Sequence, residues 1–505
     1  MNISNKMENR KYEDYKSLMH KIKDLEYATG VLHWDMETYM PSKGVRFRSQ
    51  QMATLQALAH EIFTAESTGL LLKDLAANEQ LDEIEKANVL LSLEDYEKAT
   101  KLPNDFVKES SLIRTDAFQA WLKAKEANDY SVFRPALTKM VENKKQEAAL
   151  LGSNGHVYNA LLDQYEKGAE VEKLDLLFKD VREKLVTFVK ELKEKGQSSP
   201  SHFLKHIFPK DQQWNLGLEL LKQMGYDFDA GRQDISAHPF TTNFSPEDVR
   251  VTTRIDEKEL MSMIGSCIHE GGHALYEQGL PTEQYGLPLG SATSLGIHES
   301  QSRLWENNVA LGLPYWKANF ALLQKTFPAQ LSGINVQSFY KAINQVSPNF
   351  IRIEADELHY HLHVLIRYEI EKGLIEGSIS TDNLNEIWNQ KYRDYMGVDV
   401  PDDNHGILQD IHWSQGLVGY FPTYSLGSFY AAQFYAQAMK EIPNLILEIE
   451  KGNMKPLLEW LREKIHRHGR RYTSEELCIQ ICGEGLNLKY FMDYAKRKYG
   501  EIYSI

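Results

Sequence analysis

The run Cys267-Ile268-His269-Glu270-Gly271-Gly272-His273 constrains this chain more than any other stretch. A His-Glu-x-x-His pattern acts as a unit only on a helix, where positions i and i+4 share a face one turn apart. The two imidazoles can then grip one metal ion, and Glu270 can reach a water beside it, the local signature of a zinc hydrolase. A catalytic site also needs a third protein ligand, with the fourth position left open. The chain must therefore build a helix here and bring a ligand back against it. A helix that merely exposes two histidines fits the same residues, so the surroundings decide.

Those surroundings favour a helix. Asp256, with Glu259 three residues on, has the form of a capping box. Leu260, Ile264 and Ile268 follow as an apolar stripe, and Gly279 with Pro281 supplies a stop. Gly271 and Gly272 each cost roughly 1 kcal/mol relative to alanine inside such a helix. They mark either a ligand or backbone coming close or tight helix packing, and both readings stand. For the third ligand, Glu299 lies 26 residues beyond His273, room for a loop and a second helix returning antiparallel. His298 competes with it, because neighbours on a helix diverge by about 100° and only one can face the metal. Spacing favours Glu299 and leaves His298 open.

The 505 residues are 42% hydrophobic, enough for a large core, and the net charge of −14 argues against nucleic acid or an anionic membrane as partner. Cys267, Cys478 and Cys482 are the three cysteines, too few for a disulfide framework. Cys478 and Cys482 stand at i, i+4 and read as core packing. Met1–Tyr27 is charged and lacks a signal-peptide apolar region, and no apolar run is long enough to span a membrane. The expectation is a soluble, cytoplasmic protein.

Helical periodicity dominates: residues 8–30, 46–75, 80–100, 104–127, 131–152, 156–167, 171–197 and 211–224 read as amphipathic helices, as do much of 305–395, 427–446 and 454–467. Gly196–Pro200 reads as a loop too short for a domain linker. The expected fold is mainly α, one large domain over 1–505, possessing two lobes around a cleft as an alternative layout. One stretch departs from this: 238–254 reads as a β-hairpin, its second arm alternating valines with Arg250 and Thr252, and leads straight into the metal helix. A strand edge beside a metal offers backbone groups to an extended peptide, although a plain structural hairpin has the same pattern.

Several motifs occur in order: His238-Pro239-Phe240, Asp248-Val249-Arg250-Val251-Thr252, the His-Glu-Gly-Gly-His run, His298-Glu299-Ser300-Gln301, Ile351-Arg352 through Ala355-Asp356, and Gly406 through Gln409-Asp410-Ile411-His412-Trp413. With the early Leu32-His33-Trp34-Asp35 to Met40-Pro41 stretch, they resemble the thermostable metallocarboxypeptidase family of the carboxypeptidase Taq type. The resemblance spans nearly the whole chain. It implies an almost all-helical fold with a small sheet and a deep groove, and a homodimer. It implies Glu299 as the third ligand, one zinc per chain with cobalt able to replace it, and release of single residues from free peptide C-termini with broad preference and poor acceptance of proline. His359 departs from the family, which usually has threonine there.

On this reading Glu270 is general base and acid. His412 and Tyr420 are candidates to donate to the oxyanion, with core packing as the alternative for Tyr420. Arg352 is the candidate anchor for the terminal carboxylate, its guanidinium matching that geometry; an Arg352–Asp356 salt bridge is the alternative. Asp356 and Glu357 are candidates to orient a metal histidine. His238 and Arg250 are candidates to bind substrate along the groove wall. Rival readings are an endopeptidase or dipeptidase of the same class, a di-iron protein built on Glu270-x-x-His273 and Asp356-x-x-His359, and a non-catalytic peptide-binding scaffold.

Overall fold

The computed structural model describes residues 3–196 and 199–505, so Gln197 and Ser198 of the expected loop lie outside the described residues. Helix makes up 69% of the chain, beside a single three-stranded sheet among the described residues. Periodicity located most helices within a few residues. Ile3–Thr38 is longer than the pattern suggested, and 46–75 is divided at Ala65 into Val45–Thr64 and Glu66–Ala76. Of 156–167 only Asn159–Leu162 is α-helical.

The sheet has the order β1 (Gly231–Ile235), β3 (Asp248–Thr253), β2 (Thr241–Ser245). β2 and β3 form the expected antiparallel pair. β1 was not foreseen; it pairs parallel with β3, from Gly231 opposite Val249 to Ile235 opposite Thr253. In β3, Val249 and Val251 are fully buried under the helix that follows.

That helix, Leu260–Glu277, is the one expected to hold the metal, and it starts later than a capping box at Asp256 would have it. Asp256 instead accepts from the nearby Lys258 N–H in a turn, and Glu259 occupies the cap position without a side-chain cap. Stability therefore comes from the apolar stripe: Leu260, Ile264, Ile268 and Leu275 are each at most 1% exposed. The return helix, Leu295–Arg303, is capped by Ser294 and continues into a π-helical stretch, Leu304–Ala310. It packs along a third helix, Pro422–Glu441.

The glycines turn out to set helix packing. A side chain at Gly272 would stand 2.7 Å from the Ser302 Cα of the return helix, and one at Gly271 would meet Leu221 at 2.7 Å. Gly427 was not singled out in the sequence, yet a Cβ there would lie 2.5 Å from Glu299 Cγ. Small residues at these crossings bring Glu299 against the histidines. One large apolar cluster runs from Ala117 to Tyr503 and includes the metal helix; a smaller one joins Tyr12, Tyr15, Leu72, Leu75, Val89 and Leu287. Among the described residues no helix is long and apolar enough to cross a membrane.

Candidate metal centre

His269, His273 and Glu299 bring one ligand atom each to within 4.8 Å of one another, and they are the one group of this kind among the described residues. Glu299 Oε2 lies 3.7 Å from His269 Nε2 and 3.5 Å from His273 Nε2. Tetrahedral zinc with donors at about 2.0–2.1 Å spaces its ligands roughly 3.4 Å apart, so a small contraction suffices and the donor set fits a metal. Neither the Cys478/Cys482 pair nor Asp356/His359 belongs to this group.

His298 points elsewhere, which resolves the alternative that spacing left open. Its Nε2 lies 2.8 Å from Glu277 Oε1, and its ring stacks on His273 with centroids 4.3 Å apart. His269 is held through its other nitrogen, with Nδ1 2.8 Å from Glu306 Oε2. Arg303 ties the two carboxylates together: Nε donates to Glu299 Oε1 at 2.7 Å and Nη1 to Glu306 Oε2 at 3.1 Å. Glu299, Arg303 and Glu306 stand at i, i+4 and i+7, one face of the return segment. This support falls to Glu306, correcting the expectation for Asp356 and Glu357. Asp356 accepts from His359 and from the Leu358 and His359 N–H groups, starting the helix His359–Glu376. Glu357 is buried against Lys498 and Tyr499. His359, the departure from the family, thus acts on a helix start.

The charges at the centre are strongly coupled. Burial pushes the Glu299 carboxyl up, but Arg303 and His269 overcome it and hold it well below the usual range. Burial lowers His269, yet Glu299 and Glu306 raise it to about 9. His273 is pushed down to about 3 by burial and by His298. Burial raises the Glu270 carboxyl against the pull of His269 and a hydrogen bond from Thr241. Thr241 Oγ1 lies 2.7 Å from Glu270 Oε2. Two residues along β2, Asn243 donates to Glu277 at 2.7 Å, so one face of the strand holds carboxylates two helical turns apart.

His412 and Tyr420 do come together, with ring centroids 5.6 Å apart, and Glu299 is among the charges felt by Tyr420. Tyr424, missed in the sequence, makes the hydrogen bond: its hydroxyl lies 3.2 Å from His412 Nε2. Burial lowers His412 to about 4, so it is neutral near pH 7. Arg352 lies in a 3-10 turn, Arg352–Glu354, which removes the i, i+4 helical geometry of an Arg352–Asp356 pair. Its Nε and Nη2 donate to Asp410 instead, at 3.1 and 2.9 Å, and its Nη1 donates to the Tyr360 hydroxyl at 3.0 Å. Asp410 also takes Arg367, which is fully buried.

On the hairpin, His238 is exposed. The Arg250 guanidinium is bound by Asp248 through two contacts of 2.8 Å and sits 4.4 Å from the Trp34 ring. Trp34 belongs to the early motif, which thereby packs onto the sheet.

A family model for the carboxypeptidase Taq (M32) metallopeptidase matches residues 14–499. Carboxypeptidase 1 of Bacillus subtilis is 38% identical over 499 residues, covering 98% of this chain and 100% of that protein. Thermostable carboxypeptidase 1 of Thermus thermophilus is 38% identical over 504 residues, 97% of this chain and 99% of that protein. The crystal structure of an M32 carboxypeptidase from Deinococcus radiodurans superimposes with a TM-score of 0.96 at 35% identity, covering 98% of this chain and 100% of that one.

Proposed function

Since the chain belongs to the carboxypeptidase Taq (M32) family and is a metallocarboxypeptidase, we propose that it is a zinc enzyme releasing single amino acids from free peptide C-termini, with Glu270 as general base and acid. The observation that carries this reading is the convergence of His269, His273 and Glu299 beside Glu270. Two histidines and a carboxylate are a donor set of catalytic zinc sites, and cobalt suits the same ligands. When bound, the metal supplies Lewis acidity, polarising the scissile carbonyl and making water more acidic.

The chain's own groups do the rest. Glu270, its carboxyl raised by burial, takes a proton from the attacking water and delivers it to the leaving amine. Thr241 fixes one oxygen of that carboxyl and leaves the other for the water. Neutral His412 and the hydroxyl of Tyr420 are proposed to donate to the oxyanion, with Tyr424 holding His412. Arg352 is proposed to anchor the terminal carboxylate. A guanidinium has five donors, and the bonds to Asp410 and Tyr360 use three of them. His238 and Arg250 are proposed to line the groove, Arg250 through its fixed stack on Trp34.

A single catalytic domain over 1–505 is supported by the long apolar cluster from Ala117 to Tyr503 together with the smaller one, in which Leu287 packs with the N-terminal helices, and a cytoplasmic location by three free cysteines. The homodimer and the broad terminal preference rest on the motif resemblance. The test is mass spectrometry of a peptide ladder with zinc-loaded protein and its Glu270→Gln variant. Stepwise loss from the C-terminus by the wild type is expected, with the variant slowed about 10²–10⁴-fold. Internal cleavage, or equal rates in the two, refutes it.

A further inference from the structure

Glu371 lies in the helix His359–Glu376 and is 1% exposed. Among the described residues its carboxylate accepts three hydrogen bonds, all from neutral groups. Trp413 Nε1 donates to Oε1 at 2.7 Å, and the Tyr158 hydroxyl and the Gly419 N–H donate to Oε2 at 2.5 and 2.9 Å. Two of these donors adjoin the residues proposed above to act on the oxyanion. Trp413 follows His412 and Gly419 precedes Tyr420, so one carboxylate clasps both ends of the loop between them. Burying a carboxylate among neutral partners is costly, and an apolar side chain would fill this place in the helix without that cost. The hydrogen bonds to the loop are what the carboxylate adds.

The segment that carries Tyr158 backs the far end of the loop. A Cβ on Gly419, whose φ is +98°, would lie 2.8 Å from the Leu161 carbonyl oxygen, so backbone meets backbone there. Tyr165 sets its ring edge against Tyr420, with centroids 5.2 Å apart. The same segment reaches the return helix: the Tyr165 carbonyl accepts from the Leu295 N–H at 3.3 Å, and Glu166 accepts from the Gly296 N–H at 2.9 Å. That helix carries Glu299. Residues 158–166 thus join the clasp on His412 and Tyr420 to the element that presents the candidate third ligand. Only an ionised carboxylate can accept at both of its ends. An amide in its place turns an NH2 toward one set of donors and releases either the Trp413 end or the Gly419 end.

We propose that Glu371 is a positioning residue for the reaction: its carboxylate fixes the spacing of His412 and Tyr420, and residues 158–166 register both against Glu299. The proposal rests on the reading above that His412 and Tyr420 donate to the oxyanion.

The test is a double-mutant cycle on one peptide with zinc-loaded protein at pH 8, where the Glu371 carboxyl, pushed up to about 7 by burial, is ionised. Glu371→Gln is expected to lower kcat about 10–100-fold and to leave KM within about twofold, because displaced oxyanion donors are missed only in the transition state. His412→Ala/Tyr420→Phe removes the donors themselves and is expected to cost at least about 10²-fold. Adding Glu371→Gln to that double variant is expected to cost less than about twofold more, since nothing is left to position. A general loss of packing would instead lower the rate equally in both backgrounds. Tyr158→Phe keeps the ring and removes one donor, and it serves in place of Glu371→Gln if that variant folds poorly: a loss of about threefold or more is expected, again absent from the double variant. No loss in the single variant, equal losses in the two backgrounds, or a raised KM with kcat unchanged overturns the positioning role and leaves the oxyanion reading standing. Full activity in His412→Ala/Tyr420→Phe overturns the oxyanion reading and this proposal with it.

Discussion

The candidate metal centre and the arginine network around Asp410 are both buried clusters of charge, and they are finished in opposite ways. At the metal centre, Glu299 Oε2 and both histidine Nε2 atoms face a common point, while Arg303 and Glu306 hold them from behind. At Asp410 the charges close on one another: Arg352 approaches one carboxylate oxygen and Arg367 the other at 2.6 Å. Asp410 is accordingly held well below the usual carboxylate range despite burial, by Arg352 and then Arg367. Donor atoms left facing one another make a place for a ligand. Charges that satisfy each other make a brace, whose value is lost when one member is removed.

Asp410→Asn probes the brace most directly. It leaves two arginine side chains, 6% and 0% exposed, short of their counter-ion, and a loss of about 3–5 kcal/mol in denaturant unfolding is expected. Wild-type stability in this variant would mean that Asp410 does not brace the two arginines, and would erase the contrast.

Glu371 sharpens the closed side. Burial raises its carboxyl to about 7, although Tyr158, Trp413 and the Gly419 N–H all donate to it, pinning the loop that leads from His412 to Tyr420. The folded chain thus holds a proton that the unfolded chain releases near pH 4.5, so this group's contribution to stability falls as pH rises from about 4.5 to 7. Glu371→Gln should remove that slope. Relative to wild type it is expected to gain on the order of 3 kcal/mol between pH 4 and pH 8, read from paired unfolding curves. Parallel profiles for the two proteins would show that the hydrogen bonds, rather than burial, govern this carboxyl.

The smallest effect is expected at the open centre. Glu306→Ala frees the His269 ring without removing a ligand, so metal affinity should drop about 10–100-fold while the fold is kept. Competition titration with a chromophoric chelator reads this, and an unchanged affinity would mean that helix packing alone aims His269.

Much of the centre was legible in the chain because its information is local. Helical spacing places His269, Glu270 and His273 on one face, and alternation announces β3, the second arm of the hairpin, just before them. β1 was not legible: Gly231-Arg232-Gln233-Asp234-Ile235 has no strong strand pattern and becomes a strand by pairing with β3. Glu306, Tyr424, Asp410 and Gly427 were also unannounced, since each acquires its role from a residue distant in sequence. The alternative of an Arg352–Asp356 pair fails, because it assumed helical i, i+4 spacing where the chain makes a tight turn.

By itself, then, the sequence determined the chemistry available: a mainly helical chain with two histidines and a base one turn apart, and motifs of one metallopeptidase family. Only the tertiary structure decided which carboxylate meets the histidines and which one holds Arg352. Periodicity specifies the face of a helix but not its neighbour. The neighbour is chosen where backbones can approach, at Gly272 and Gly427, and that contact puts Glu299 rather than His298 opposite the pair.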